Sequence, residues 1–174
     1  VRAAQGMALR FPSALDLGCG TGLMGEAIRP FVDRLRGVDL SPGMVAKARA
    51  KLIYEGLAVG DLLGFLHAEP EAGIDLVLAA DVLVYIGDLA PVFGAVAKSL
   101  GRNGLFAFTL QSHNAGPAEA GFMLGSDNRF AHSASHVRLA AERCWLAIAH
   151  LAPVVTRQDA GRDVPCLVVV LEAR

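Results

Sequence analysis

Apolar residues along this chain come in short runs, separated by segments where they recur every three or four positions. The runs predict strands and the spaced positions predict helices. The alternation starts at Ala14, where Leu15 and Leu17 flank Asp16 and lead straight into Gly18, Gly20 and Gly22. Leu23, Met24, Ala27, Ile28 and Phe31 then give a helical face that Pro30 closes, and a second strand is predicted over 35–38. Ser41 suits a helix N-cap and Pro42 the first helical position, so a second helix should run toward Lys51 with Val45, Ala48 and Leu52 inward. A third strand falls within 56–59, and Ile74–Ala79 reads as a buried fourth. Leu89, Val92, Phe93, Val96 and Leu100 mark an amphipathic helix that Asp88 caps and Gly101 ends. Arg102, Asn103 and Gly104 predict a turn before a fifth strand over 105–110.

Strand and helix succeeding each other at such short intervals predict an α/β fold, a mostly parallel sheet with helices on both faces. After Leu110 the rhythm breaks. Residues 111–129 form a long connection containing His113, Gly116, Pro117 and Gly121, and loops of that length are usually functional or mobile. Within it, 121–124 is positioned to make a small hairpin with Arg129 and Phe130. A helix over 135–144 follows, and the strands 145–155 and 164–171 close the chain as an antiparallel pair joined by the polar 156–163. Seven strands are thus expected in the main sheet. Residues 1–13 carry no strong pattern, with Pro12 and Ser13 closing the segment, and read as the remnant of an N-terminal helix.

The 174 residues are 53% apolar and 19% charged, which supports one globular domain over 1–174. With 16 Lys and Arg against 17 Asp and Glu, no excess positive charge draws the chain to phosphate backbones, so nucleic acid is a poor partner and a small molecule a better one. The longest apolar stretch, 74–100, is broken by Asp81 and Asp88 and does not read as a membrane span. Cys19, Cys144 and Cys166 are odd in number and far apart, which fits neither a disulfide framework nor a zinc site, and a cytoplasmic setting is expected. The start at Val1, so soon before the first strand, suggests that an N-terminal cover or a preceding domain is missing.

Chemistry enters at the glycines. Three of them at alternating positions let the backbone take positive φ and approach a ligand closely, with the N–H groups of loop and helix directed into the space created. A dinucleotide turn needs G-x-G-x-x-G, but three positions after Gly20 stands Leu23, so the third glycine is out of register and a nicotinamide oxidoreductase is the least favoured reading. Asp39 falls at the carboxyl end of the second strand, where an acidic side chain can accept both hydroxyls of a ribose; capping the next helix is its other reading.

The stretches Leu15-Asp-Leu-Gly-Cys-Gly-Thr-Gly22, Gly37-Val-Asp-Leu-Ser-Pro-Gly-Met44, Gly60-Asp61, Asp75-Leu-Val-Leu-Ala79 and Leu100-Gly-Arg-Asn-Gly-Leu105 together resemble the ordered motifs of class I S-adenosylmethionine-dependent methyltransferases. The resemblance implies a Rossmann-like seven-stranded sheet of order 3-2-1-4-5-7-6, with the cofactor lying across the strand ends. It implies that Gly18, Cys19, Gly20 and Gly22 pass under the amino acid part of the cofactor, with Asp16 holding the loop and reaching the methionyl amine. Asp39 takes the ribose hydroxyls, Leu40 and Met44 pack on adenine, and Asp61 and Leu62 complete the adenine site. Ala79 and Asp81 lie near the methionine moiety and the transferred methyl. The likeness is greatest to the branch acting on small molecules. Arg129-Phe-Ala-His-Ser133 and the segment at Tyr85 are similar to methyltransferases with tetratricopeptide repeats ahead of the catalytic domain.

Methyl transfer from a sulfonium is an in-line displacement with a good leaving group, so positioning does most of the work, roughly 7–11 kcal/mol in favourable cases. A base is needed only if the nucleophile must lose a proton. His113, His132, Asp81 and Tyr85 are the candidates, and the sequence does not choose among them. His132 and His136 are four apart, but Ser133 stands where the zinc hydrolase pattern requires Glu, and no metal is expected. No Asn/Asp-Pro-Pro-Tyr/Phe follows the fourth strand and no paired glutamates occupy 81–88, which favours a small-molecule acceptor, with protein methylation open. The alternative is a module of the same fold that binds the cofactor, or a partner, without turnover. The acceptor, the atom methylated and the oligomeric state are not fixed by the sequence.

Overall fold

In the computed structural model, which describes residues 10–68, 72–113, 121–159 and 161–174, the strands sort apolar residues into two layers by their period of two. In β1 (Phe11–Leu17), Leu15 and Leu17 enter one layer while Ala14 enters the other, where Phe11 at the strand's start also packs, out of the alternation. In β4 (Ile74–Ala79), Val77 and Ala79 join the first, Leu76 and Leu78 the second. In β5 (Leu100–Ser112), Phe106, Phe108 and Leu110 again face the first layer.

The first layer is closed by α3 (Leu62–Ala68), α4 (Ala90–Ser99) and α5 (Ala134–Arg143). At its centre Phe93, Phe106 and Phe108 pack with ring centroids 4.6–5.7 Å apart, a span suited to edge-to-face and tilted aromatic contact. The second layer is smaller and is covered by Met24 and Ile28 of α1 (Leu23–Ile28) and by Tyr54.

β1 pairs in parallel with β2 (Val32–Asp39) on one side and β4 on the other; β3 (Gly56–Val59) adds beside β2 and β5 beside β4. β9 (Arg162–Ala173) runs antiparallel along β5, and β8 (Leu146–Asp159) runs antiparallel along β9. The mostly parallel sheet with helices on both faces is therefore as expected. The strand count and order are corrected from seven in the order 3-2-1-4-5-7-6 to nine among the described residues. The difference is the hairpin of β6 (Phe122–Leu124) and β7 (Phe130–His132), which joins the sheet. β4 ends opposite Phe108, whereas β5 runs on to Ser112, leaving main-chain groups at Gln111 and Ser112 open on that edge. β7 pairs with both. Gln111 also pairs with Cys166 of β9, so β7 must lie on the β4 edge of β5, beyond the end of β4.

Other boundaries also move. Pro12 and Ser13 belong to β1, because Phe11 is buried and Ser13 N–H and Oγ both donate to Asp75 Oδ2. Leu52, expected inward, is 89% exposed: α2 (Pro42–Ala50) has ended and Leu52 takes φ 56°. Leu23 and Phe31 are likewise exposed. The 102–104 turn lies inside β5, where the pairing with β4 shifts register. Most of the polar 156–163 connection is strand, and Trp145, placed at the start of a strand, is 78% exposed at φ 60°. The expected helix remnant over 1–13 lies outside the described residues as far as residue 9, as does 114–120 of the long connection. Among the described residues no helix is long and apolar enough to cross a membrane, no group of His, Cys, Asp and Glu is arranged to hold a metal, and the three cysteines are free.

Candidate functional site

Parallel pairing brings the carboxyl ends of β1 to β4 side by side, and the residues that follow each strand line one groove. Its larger part is a cavity of about 700 Å³ bounded by Gly18, Gly20, Asp39, Leu40, Met44, Asp61, Leu62 and Asp81, with Tyr85 at its rim. The smaller part, about 390 Å³, runs from Asp16 along Cys19–Thr21 to Met24. The two share Gly18, Gly20, Ala80 and Asp81. Together they are of a size that encloses a nucleoside-sized ligand. A separate depression of about 320 Å³ lies between β2, β3 and α3, against Leu57 and Phe65, away from these strand ends.

The glycine loop leaves β1 with φ 66° at Gly18, 53° at Gly20 and 83° at Gly22. Gly18 is confined: a Cβ there falls 2.3 Å from Val82 Cγ2, so the loop packs flush against the residues after β4. A Cβ at Gly20 meets nothing within 4 Å and enters the groove instead. The loop is tied to β2 by Cys19 N–H donating to the Val38 carbonyl at 2.9 Å. Asp39 adds the second tie. Its Oδ2 accepts from Gly20 N–H and its Oδ1 from Ser41 N–H, both at 2.9 Å, so it fixes the loop and the start of α2 at once. A carboxylate has about four acceptor sites, so both oxygens keep capacity for ligand hydroxyls.

Asp16 is 1% exposed, and Tyr54 Oη donates to its Oδ2 at 2.6 Å. Burial, with the charge of Asp39 adding, pushes the Asp16 carboxyl up to about 6 against the opposing hydrogen bond from Tyr54. Burial and the same two carboxylates push the Cys19 thiol up to about 12, which keeps it protonated and unreactive. Tyr54 is raised too, by burial first and then by Asp16, and stays a hydrogen-bond donor. An uncompensated carboxylate in so dry a position favours a cationic ligand group beside it.

Asp61 closes the far end. It is exposed, lines the groove and caps α3, its Oδ1 accepting from Gly64 N–H at 2.8 Å. After β4, Ala79 is wholly buried in the first layer, and Ala80 lines the groove in its place. Asp81 takes φ 56°, its N–H donates to Thr109 Oγ1 at 2.9 Å, and Arg129 Nη1 donates to its Oδ1 at 3.0 Å and its Oδ2 at 3.3 Å.

Of the four candidate bases, Asp81 and Tyr85 line the groove. His132 is wholly buried, and His113 is half-buried and absent from the groove lining. Both nitrogens of each, and Nε2 of His136, are buried without a hydrogen-bond partner among the described residues. Burial, then the charge of His136, pushes His132 down to about 4, with His113 adding. The carbonyls of Ile86 and Leu83 favour the charged ring without reaching hydrogen-bond geometry. His136 is lowered by burial and Arg143 against the opposing charge of Asp88. His132, in β7, and His136, in α5, are packing groups whose rings stack at 5.5 Å.

Sequence reasoning missed Tyr54, Thr109, Val82 and Arg129. Tyr54 and Arg129 stand 38 and 48 residues from the aspartates they hold, and no local pattern announces them.

Residues 15–106, more than half of the chain, match the family described as methyltransferase domain. Nodulation protein S of Rhizobium tropici is 31% identical over 51% of this chain and 37% of its own length. Ubiquinone biosynthesis O-methyltransferase of Xylella fastidiosa is 32% identical over 55% of this chain and 41% of its own. The chain thus spans about two-fifths of the curated relatives it matches. Among solved structures, the N-methyltransferase NodS of Bradyrhizobium japonicum, in complex with S-adenosyl-L-homocysteine, superposes with a TM-score of 0.72 at 22% identity, over 94% of this chain and 79% of that one. A methyltransferase from Methanosarcina mazei superposes with a TM-score of 0.73 at 12% identity, over 98% and 96%. The glycine loop and the aspartates at three successive strand ends all lie within the matched segment, and the chain belongs to the class I S-adenosylmethionine-dependent methyltransferases.

Proposed function

We propose that this chain transfers the methyl group of S-adenosylmethionine to a small-molecule acceptor. The observation that carries the reading is the continuous acidic groove, with Asp16 buried at one end, Asp61 at the other and Asp39 and Asp81 between. S-adenosylmethionine brings an ammonium and a sulfonium, the charges such a groove favours, and a ribose and adenine that match Asp39 and Asp61. In this reading the methionyl end lies along Gly18–Thr21 beside Asp16, and adenine lies between Leu40, Met44 and Leu62. Leu40 and Met44 are 74% and 41% exposed, so a ring lying on them gives them apolar cover.

An acceptor lone pair attacks the methyl carbon, the carbon–sulfur bond breaks, and its electrons neutralise the sulfonium to leave S-adenosylhomocysteine. Of the four candidate bases, Asp81 and Tyr85 line the groove and can take or relay a proton from an acceptor hydroxyl or amine. Curated relatives whose names specify ubiquinone biosynthesis and aklanonic acid support a small-molecule acceptor. A tetratricopeptide repeat region ahead of the domain belongs to the same proposal, supported by the resemblance at Arg129–Ser133. Incubation with methyl-labelled S-adenosylmethionine and a panel of small hydroxyl, amine and carboxyl acceptors tests the reading. Labelled product supports it. Tight cofactor binding with no product from any acceptor favours the second reading, a non-catalytic binding module, which the engagement of Asp81 by Arg129 makes specific.

A further inference from the structure

Among the described groove residues there are four aspartates, Asp16, Asp39, Asp61 and Asp81, and no lysine or arginine. Such a wall attracts a cationic cofactor and repels an anionic acceptor. Arg129 is set against this pattern. It comes from the turn between β6 and β7, and its side chain is only 21% exposed. Nη1 holds both oxygens of Asp81, and the guanidinium carbon lies 5.4 Å over the ring of Tyr85. The hairpin that carries it is seated firmly, since Phe122 and Phe130 pack so closely over Gly87 that a Cβ there falls 2.6 Å from the Phe122 ring.

The contact with Asp81 is one-sided. A single nitrogen makes it, and among the described residues no bond engages Nε or Nη2. Those two N–H groups form the side edge of the guanidinium, whose spacing matches the two oxygens of a carboxylate. Asp81 and Tyr85, both of the groove lining, fix the plane of the group beside the groove, and among the described residues that edge has no partner.

Resting on the reading that the groove holds S-adenosylmethionine, we propose that the acceptor carries a carboxylate captured by the Nε–Nη2 edge of Arg129, which makes Arg129 the specificity-determining residue. Asp81 and Tyr85 then act as its holders at the acceptor side.

The test uses the whole chain saturated with S-adenosylhomocysteine and two probes that differ by one carboxylate, 4-hydroxybenzoate and phenol. NMR titration should show 4-hydroxybenzoate binding about tenfold more tightly, the worth of a charge-assisted contact. Arg129→Met should erase the preference. Arg129→Lys keeps the charge but not the fork and should retain only part of it. Titration of the same variants with S-adenosylhomocysteine reports whether the fold and the cofactor half of the groove survive. Equal binding of the two probes by the wild-type chain, or a preference that outlives Arg129→Met, overturns the proposal. A wild-type chain that takes up no S-adenosylhomocysteine overturns the cofactor reading instead, and the same probe pair titrated against the ligand-free chain then reads Arg129 by itself.

Discussion

Replacing Asp16 with asparagine should make the ligand-free chain more stable at neutral pH while weakening its hold on S-adenosylhomocysteine. The magnitude follows from burial. Asp16 is 1% exposed, and its carboxyl rises from 3.8 to about 6 on folding. Because the folded-state value is the higher one, the folded chain binds the proton more tightly. The favourable contribution is complete below 3.8 and is lost as pH rises through about 6. At 1.36 kcal/mol per pH unit, ionising Asp16 in place costs about 3 kcal/mol above that window. Asparagine keeps an acceptor for the Tyr54 hydroxyl, 2.6 Å away in the wild type, and carries no charge. Urea denaturation of both forms at intervals from pH 4 to 7.5 gives the difference directly, and His132, common to both, cancels. The stability of the variant relative to wild type should climb by about 2–3 kcal/mol across the window. Its affinity for S-adenosylhomocysteine should fall about 10- to 100-fold, the worth of a hydrogen bond to a charged group. A stability difference independent of pH, or an unchanged affinity, refutes the assignment of Asp16 as a strained anion waiting for a cation.

Three further outcomes follow from the same geometry. His132 falls from 6.5 to about 4 on folding, so its neutral form stabilises the fold above 6.5, and that stability is lost as pH falls toward 4. Denaturation at pH 7 and pH 5 should show the wild type losing about 2 kcal/mol more than His132→Phe, at 1.36 kcal/mol per pH unit; equal losses contradict it. Gly18→Ala should cost about 1–3 kcal/mol, through the contact with Val82 and the positive φ, and should weaken S-adenosylhomocysteine binding. Adding Val82→Ala should recover part of the stability, and no recovery in the melting temperature argues that the clash is not the cause. Tyr54→Phe leaves Asp16 without its donor and should destabilise the chain by about 1–3 kcal/mol at pH 7.5, read by the same urea series.

The half of the site made by single strand ends was legible in the sequence. Gly18, Gly20, Asp39 and Asp61 each follow an apolar run at once, so naming the strand placed the residue, and parallel pairing brought the ends together. What could not be read was whatever a second, distant segment supplies. Tyr54 reaches Asp16 and Arg129 reaches Asp81 only because the sheet closes the intervening distance. The period of two also decides more than position: Ala79 and Ala80 are neighbours in sequence, yet one is sealed in the core and the other lines the groove. The strand count failed for a related reason. The hairpin of 121–124 with Phe130 was itself legible; that it joins the sheet was not, because β7 attaches where β5 outruns β4 and leaves an edge to fill. His132 is one of four candidate bases among which the sequence does not choose, and its burial makes it a packing group.

The central claim, that this groove is built for S-adenosylmethionine, is tested most directly by isothermal titration of the chain with S-adenosylhomocysteine, alongside Asp39→Ala and with NAD as the competing ligand. Saturable one-to-one binding by the wild type, weakened at least about tenfold by Asp39→Ala and absent with NAD, is the predicted result. No binding of S-adenosylhomocysteine, or equal binding of NAD, contradicts it.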